Sequence, residues 1–163
     1  MFVKSLLVIC VVFMTLFAFA QTSYENEKKF TFNAESLNQC FIQAGEYYQI
    51  HPHLLWGIAK VESNFNPYAL NKNKNGTYDI GLMQINSSWI PVLKNYGLKN
   101  VSWLWDPCYN IYVGAWILSQ CIQKLGYTWE AVGCYNATSS YKRVKYSKKI
   151  YEVIKPYTYT RAE

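Results

Sequence analysis

The chain has 163 residues, 51% hydrophobic and 18% aromatic, enough to bury the core of one domain and too few to require a second. Its 16 bases against 10 acids give a formal charge of +6. That balance suits a surface that meets an anionic polymer, whether nucleic acid, lipid or cell wall.

Residues 1–20 read as a secretory signal. Lys4 supplies the positive start, Leu6 to Phe17 are almost uninterrupted apolar residues, and Ala18-Phe19-Ala20 is a small-x-small cleavage motif. A membrane anchor is the competing reading, but the run is shorter than the roughly 20 residues that span a bilayer. Cys10 lies inside the apolar run and leaves with it. Residues 21–33 are then a polar, flexible leader, 34–156 the folded domain and 157–163 a tail. Loss of Lys4 takes the charge from +6 to +5. Export places the chain in the periplasm or beyond, where its basic surface meets a wall or membrane and not nucleic acid.

The first helix follows from Leu37, Cys40, Phe41, Ala44 and Tyr47, which recur at helical spacing. His51-Pro52 ends it, and Pro52 opens a second helix with Leu55, Ile58 and Ala59 as its apolar stripe, broken at Asn64-Phe65-Asn66-Pro67. Residues 66–79 are rich in Asn, Lys and Gly, which predicts a surface loop or short hairpin. A short helix is expected after Asn86 and Pro91, ending at Gly97. Asp106-Pro107 caps the clearest helix, with Ile111, Ala115, Leu118, Ile122 and Leu125 on one face and Gly126 at its close. Thr128 caps a further one to about Asn136. Tyr141, Val144, Tyr151 and Ile154 predict a last helix with a basic outer face. Seven bases crowd residues 141–163, a pattern that also fits a merely solvated helix face.

Four cysteines remain after the signal: Cys40, Cys108, Cys121 and Cys134. An even count in an exported chain implies two disulfides in one of three pairings. Cys121 and Cys134 sit on consecutive predicted helices, which favours joining them and leaves Cys40 with Cys108.

Glu62 fits a purely structural account poorly. It stands four residues after Ile58 and seven after Leu55, in line with the apolar stripe. A carboxyl placed there is partly desolvated, which raises its pKa and holds a proton ready for a leaving oxygen. The plainer reading is a helix-end glutamate reaching solvent. Two further segments bear on the choice. Asp79-Ile80-Gly81-Leu82-Met83-Gln84-Ile85-Asn86 sets an apolar run with a glycine and two amides inside a polar loop, a composition suited to backbone lying close to a polar ligand. Tyr135-Asn136 closes a short helix with a phenol and an amide, groups that hydrogen-bond sugar hydroxyls and acetamides.

Glu62-Ser63, then Gly81-Leu82-Met83-Gln84-Ile85, then Ala131-Val132-Gly133-Cys134-Tyr135-Asn136-Ala137 resemble, in this order, the three signature motifs of the soluble lytic transglycosylase family. The likeness spans about residues 38–155. It is nearer still to the small specialised transglycosylases that accompany type III and type IV secretion systems and pili. Asp79 to Trp89 carries that likeness, together with Asp106-Pro107-Cys108 before Val113-Gly114-Ala115-Trp116. The resemblance implies a mainly α, lysozyme-like, two-lobed helical domain with an irregular or short β-hairpin segment around residues 66–82. It also implies a monomer that cleaves the β-1,4 bond of peptidoglycan after N-acetylmuramic acid, leaves 1,6-anhydro ends, and opens the wall for a secretion system or pilus.

In that scheme Glu62 is the acid and then the base, the substrate's own acetamido group supports the charge at C1, and Gln84, Tyr135 and Asn136 orient it. Ser63 and Met83 shape the groove floor beside Gly81. Asp79, 17 residues after Glu62, has the spacing of the second carboxylate of animal-type lysozymes. It enters as a second catalytic candidate, which would suit a hydrolase, or as a turn aspartate bonding its own backbone. A binding subunit without catalysis is a third reading, opposed by the intact Glu62.

The chain departs from the family after Asn136, where Ala137-Thr138 replaces Ala-Gly. A β-branched residue there disfavours left-handed backbone. Cys134 occupies a place usually held by a small apolar residue.

No metal and no cofactor are expected. The two histidines, His51 and His53, flank a proline with no third ligand in sight. The six tryptophans, Trp103 and Trp105 among them, suit core packing better than sugar stacking. Glycans at Asn86 or Asn136, two of the four N-x-S/T triplets with Asn75 and Asn100, would block the groove, which favours a bacterial periplasm.

Overall fold

A computed structural model of the chain describes residues 34–158. The signal and the leader lie outside the described residues. Of the tail only 157 and 158 fall inside them, where they continue the last helix.

The polypeptide is mainly α, with a small antiparallel sheet where the hairpin was expected. Helices α1 (Ala34–Tyr48) and α2 (Pro52–Ser63) lead into strands β1 (Leu70–Lys72), β2 (Tyr78–Ile80) and β3 (Ile85–Asn86). After a 3-10 turn at Ser87–Trp89 come α3 (Ile90–Asn95), a second 3-10 turn at Val101–Trp105, α4 (Pro107–Leu125), α5 (Trp129–Asn136) and α6 (Ser140–Thr158). The sheet has the order β1-β2-β3, pairing Asn71 with Asp79 and Asp79 with Asn86. It reaches four residues beyond the segment 66–82, because residues 81–84 form a tight turn that brings β3 back onto β2. No helix among the described residues is long and apolar enough to cross a membrane.

Capping residues act as their chemistry dictates. Asp106 Oδ1 accepts from Tyr109 N at 2.7 Å at the start of α4, and Thr128 Oγ1 accepts from Ala131 N at 3.2 Å at the start of α5. At the end of α2 the backbone turns left-handed at Asn64 (φ 52°) and Phe65 (φ 63°), so the helix stops just after Glu62-Ser63.

Two stripes differ from the sequence expectation. Tyr47 is 72% exposed, its ring edge-on to Tyr48 at 4.8 Å. The chain turns left-handed at Gln49 (φ 55°) and tucks Ile50 into the core in its place, with Ile50 N donating to Gly45 O at 2.8 Å. On α6, Tyr141 and Val144 are exposed, while Tyr146, Ser147, Ile150 and Ile154 are buried.

Two close approaches set that rotation of α6. A side chain on Gly57 of α2 would meet Ile154 Cγ2 at 2.4 Å, and one on Gly133 of α5 would meet Arg143 Cβ and O at 2.5 Å. The core joins the helices to the turn after β2 through Phe41, Leu55, Ile58, Leu82, Met83, Ile85, Ile111, Leu118 and Ile150, all essentially inaccessible. Each such side chain contributes about 1.5–3 kcal/mol by leaving water.

Disulfide bonds join Cys40 to Cys108 and Cys121 to Cys134, with Cα atoms 5.2 and 5.9 Å apart. The first ties α1 to the start of α4, and the second ties α4 to α5.

Candidate active site

Glu62 sits on the last turn of α2, partly buried, where two adjoining clefts of about 760 and 840 Å³ meet. Both clefts are lined by Glu62, Asn73, Asp79, Gln84 and Asn136, so a groove runs past the carboxyl on either side. The sheet and its Asn-rich loop make one wall. The end of α5, the residues after it and the start of α6 make the other.

Burial is the largest influence on Glu62 and pushes its carboxyl up to about 7 from the ordinary 4.5. The hydrogen bond from Tyr146 and the charge of Lys149 act the other way, while the Asp79 carboxyl adds to the rise. Tyr146 O–H donates to Glu62 Oε1 at 2.5 Å from the buried face of α6. Burial first, then the neighbouring Glu62, holds this phenol well above its usual range, so it keeps its proton and acts as a donor. Its ring stacks on Tyr135 at a centroid distance of 6.5 Å and an interplanar angle of 17°.

Tyr146 lies outside the pattern 141, 144, 151, 154, whose last member, Ile154, is buried while its first two, Tyr141 and Val144, are exposed. Replacing Tyr146 by Phe removes the one bond that lowers the Glu62 pKa by direct contact, so that pKa rises. If Glu62 must be protonated to act, the alkaline limb of the pH–rate profile moves to higher pH, with turnover down about three- to tenfold, roughly the worth of one hydrogen bond. A profile that keeps its alkaline limb in Tyr146→Phe would remove Tyr146 from contact with the acid.

The glycine and amide segment is built as a rigid turn. Gly81 (φ 76°) is buried, and a Cβ there would lie 2.5 Å from Asn110 Nδ2 and 2.7 Å from Leu104 O. Gln84 (φ 50°) is held left-handed while its Nε2 donates to Ala69 O at 3.1 Å and Gly81 O at 2.9 Å. Both amide hydrogens are thereby spent on the protein. What Gln84 offers the cleft is its carbonyl oxygen.

Of three assigned residues tied to this turn, one sits differently from the expectation. Met83 is fully buried and packs against Gly114, so it supports the groove only through its backbone. Its N–H donates to Asn110 Oδ1 at 2.6 Å and its carbonyl accepts from Tyr135 O–H at 2.8 Å. Ser63 lines the second cleft, as expected, and its Oγ donates to Leu82 O at 2.7 Å, clipping α2 to the turn. Tyr135, with its proton committed to Met83, contributes its ring and the residual acceptor capacity of its oxygen.

Asn136 is exposed at the groove edge. Beside it, Ala137 is extended (φ −147°, ψ 149°) and Thr138 is not among the left-handed residues, so the edge forms without the backbone that glycine would permit.

Asp79 lies on the central strand and faces both clefts. Its Oδ2 accepts from Asn71 Nδ2 at 3.2 Å and Asn73 Nδ2 at 3.0 Å, and its Oδ1 accepts from Asn86 Nδ2 at 2.7 Å. The pairing of β2 with both neighbours aligns these amides, a convergence that needs the sheet and is invisible in a loop. Trp89 lines the cleft, edge-on to Trp116 at 5.5 Å, whereas Trp103 and Trp105 line neither cleft. Among the described residues no cluster of three potential metal ligands occurs.

Residues 39–154 match the model of the transglycosylase SLT domain. The chain is 45% identical over 117 residues to the invasion protein IagB of Salmonella typhimurium, covering 69% of this chain and 73% of that protein. It is 40% identical over 116 residues to protein IpgF of Shigella flexneri (69% and 76%) and 42% identical over 125 residues to a peptidoglycan-binding-like protein of Escherichia coli O157:H7 (70% and 75%).

Proposed function

The chain belongs to the transglycosylase SLT domain family and is a peptidoglycan lytic transglycosylase of lysozyme-like, mainly α fold, and from that premise we propose how its own residues carry the reaction. Glu62, protonated through its burial, gives its proton to the glycosidic oxygen between muramic acid and the next N-acetylglucosamine as the C1–O bond breaks. The resulting carboxylate takes the proton of the muramyl C6 hydroxyl while O6 attacks C1, which closes the 1,6-anhydro ring and leaves the acid as it began. The observation that carries this reading is a single acid with its pKa raised to about 7, set midway along a groove of amides and phenols.

Tyr146 holds Glu62 in place. Asn136 and the Gln84 carbonyl face the acetamido group that supports the cation at C1. The amide cradle fixes Asp79 as an acceptor of three N–H bonds, which suits a fixed negative field below C1 better than a nucleophile free to swing onto it.

Kinship with an invasion protein supports a further reading, in which local opening of the wall serves a secretion apparatus or pilus. The signal-like first 20 residues, the two disulfides and the wall substrate all support action in the periplasm.

The test is mass spectrometry of digested sacculi. Wild type is expected to leave anhydromuramoyl ends, and Asp79→Asn to leave the same ends about tenfold more slowly or worse, as loss of one electrostatic stabiliser implies. Reducing ends from wild type would establish a hydrolase and return Asp79 to the role of nucleophile or base.

A further inference from the structure

The α6 rim of the groove is cationic, and the chemistry at Glu62 does not account for it. Lys142 lines the cleft with Glu62 and Asp79, and Lys74 stands on the facing wall. At about 100° per residue, positions 142, 145 and 149 of α6 fall within an arc of about 60°, adjoining Tyr146. All three lysines are exposed. Lys149 lies near enough to Glu62 to favour the ionised carboxylate.

Arg143, the neighbouring base, is committed elsewhere: its guanidinium pairs with Glu130 at 3.1 Å and donates from Nε to Ala137 O at 2.9 Å. Among the described residues Lys142 and Lys145 form no ion pair or hydrogen bond. Of the three lysines, Lys149 works against an acid that has to keep its proton, and none of them assists it. A cationic rim that gives the chemistry no help calls for a separate role in recognition.

The amino-sugar backbone of the glycan gives these lysines little to bind, since its hydroxyls and acetamides are neutral. Charge on peptide-bearing peptidoglycan resides in the carboxylates of the peptide, because the muramyl lactyl carboxyl is spent in the amide bond that attaches it. From Lys142 to Lys149 the helix rises about 10 Å, the length of about three residues of extended peptide. Resting on the transglycosylase reading above, we infer that Lys142, Lys145 and Lys149 form a subsite for the acidic peptide substituent of muramic acid, so that the enzyme selects peptide-bearing glycan over stripped glycan. The substituent lies along α6, its carboxylates paired in turn with the three ammonium groups, while the sugar occupies the groove.

The experiment compares glycan strands with intact peptides against the same strands stripped by an amidase, which leaves a single lactyl carboxylate on each muramic acid in place of the peptide's several, at matched disaccharide concentration, for wild type and for Lys142→Gln/Lys145→Gln. Wild type is expected to favour the peptide-bearing strands about fivefold in kcat/KM, what two or three exposed ion pairs supply together. In the double variant that ratio falls to near one, mainly through KM, and about 1 M salt erases it in wild type. A preference that survives in the double variant, or an equal loss on both substrates, overturns the inference.

A second measurement keeps the two readings apart. Co-sedimentation of Glu62→Gln with the two kinds of strand reports binding alone. Tighter binding of the peptide-bearing strands, lost when Lys142 and Lys145 are also replaced, supports the subsite even if the products prove to be reducing ends. Equal binding to both strands, or binding that follows anionic vesicles instead, sinks it.

Discussion

Replacing Glu62 by Gln is expected to lower the release of anhydromuramoyl ends by about a thousandfold, within the range that a general acid supplies. Gln keeps the shape of the side chain and an oxygen for the Tyr146 hydroxyl, so the groove stays formed and glycan still binds. What disappears is the proton delivered to the leaving oxygen.

The same substitution carries a stability signature of opposite sign. With a folded pKa of about 7 against 4.5 unfolded, Glu62 keeps its proton in the native chain after the unfolded chain has lost it. Wild-type stability therefore falls with rising pH between about 4.5 and 7, by up to about 3 kcal/mol on an order-of-magnitude reckoning, and no further above that window. The Gln variant lacks this term. Denaturant titration should find the two proteins alike near pH 4 and the Gln variant more stable at pH 8. Lysis retained in Glu62→Gln would dismiss Glu62 from the chemistry, and a stability gap that failed to grow with pH would dismiss its burial.

The placement of Glu62 was legible in the sequence because it is local, whereas its role emerged only together with the segments 79–86 and 131–137. A carboxyl on an apolar stripe, one turn past Ile58 and two past Leu55, is placed by the geometry of its own helix. The caps at Asp106 and Thr128 were legible for the same reason, since each acts on an amide three residues ahead. Tyr146 was not. Its inward face is the row Tyr146, Ile150 and Ile154 at i, i+4 and i+8, which competes with the row through Tyr141 and Val144, and Gly57 and Gly133 on two other helices select it by admitting Ile154 and Arg143.

Met83 shows the converse error. The motif is a reliable marker of the turn, yet the turn is rigid because Met83 points away from the groove into the space over Gly114. For Asp79, sequence spacing supplied the position but not the three amides. Asn71, Asn73 and Asn86 meet it only once β1 and β3 pair on either side of β2.

Replacing Asn110 by Ala is expected to cost on the order of 4 kcal/mol, a lowering of the melting temperature of roughly 15 °C for a domain of this size. Asn110 is fully buried on α4 and satisfies three backbone groups at once. Its Oδ1 accepts from Met83 N at 2.6 Å, and its Nδ2 donates to Ile80 O at 3.0 Å and Leu104 O at 2.8 Å.

Each of those groups, left without a partner in the core, costs about 1–3 kcal/mol, against a total stability of about 5–15 kcal/mol. A methyl group reaches none of them. An aspartate there keeps an acceptor for Met83 but turns acceptor against acceptor at Ile80 and Leu104, so Asn110→Asp should be at least as damaging as Ala. Activity should suffer with stability, because the turn that Asn110 anchors also carries Gln84 and, through the Met83 carbonyl, fixes Tyr135. At temperatures where Asn110→Ala remains folded, kcat/KM on sacculi should still lie well below wild type. Wild-type melting in Asn110→Ala would show that the groove turn stands without this side chain, and the account of how α4 positions the site would fall with it.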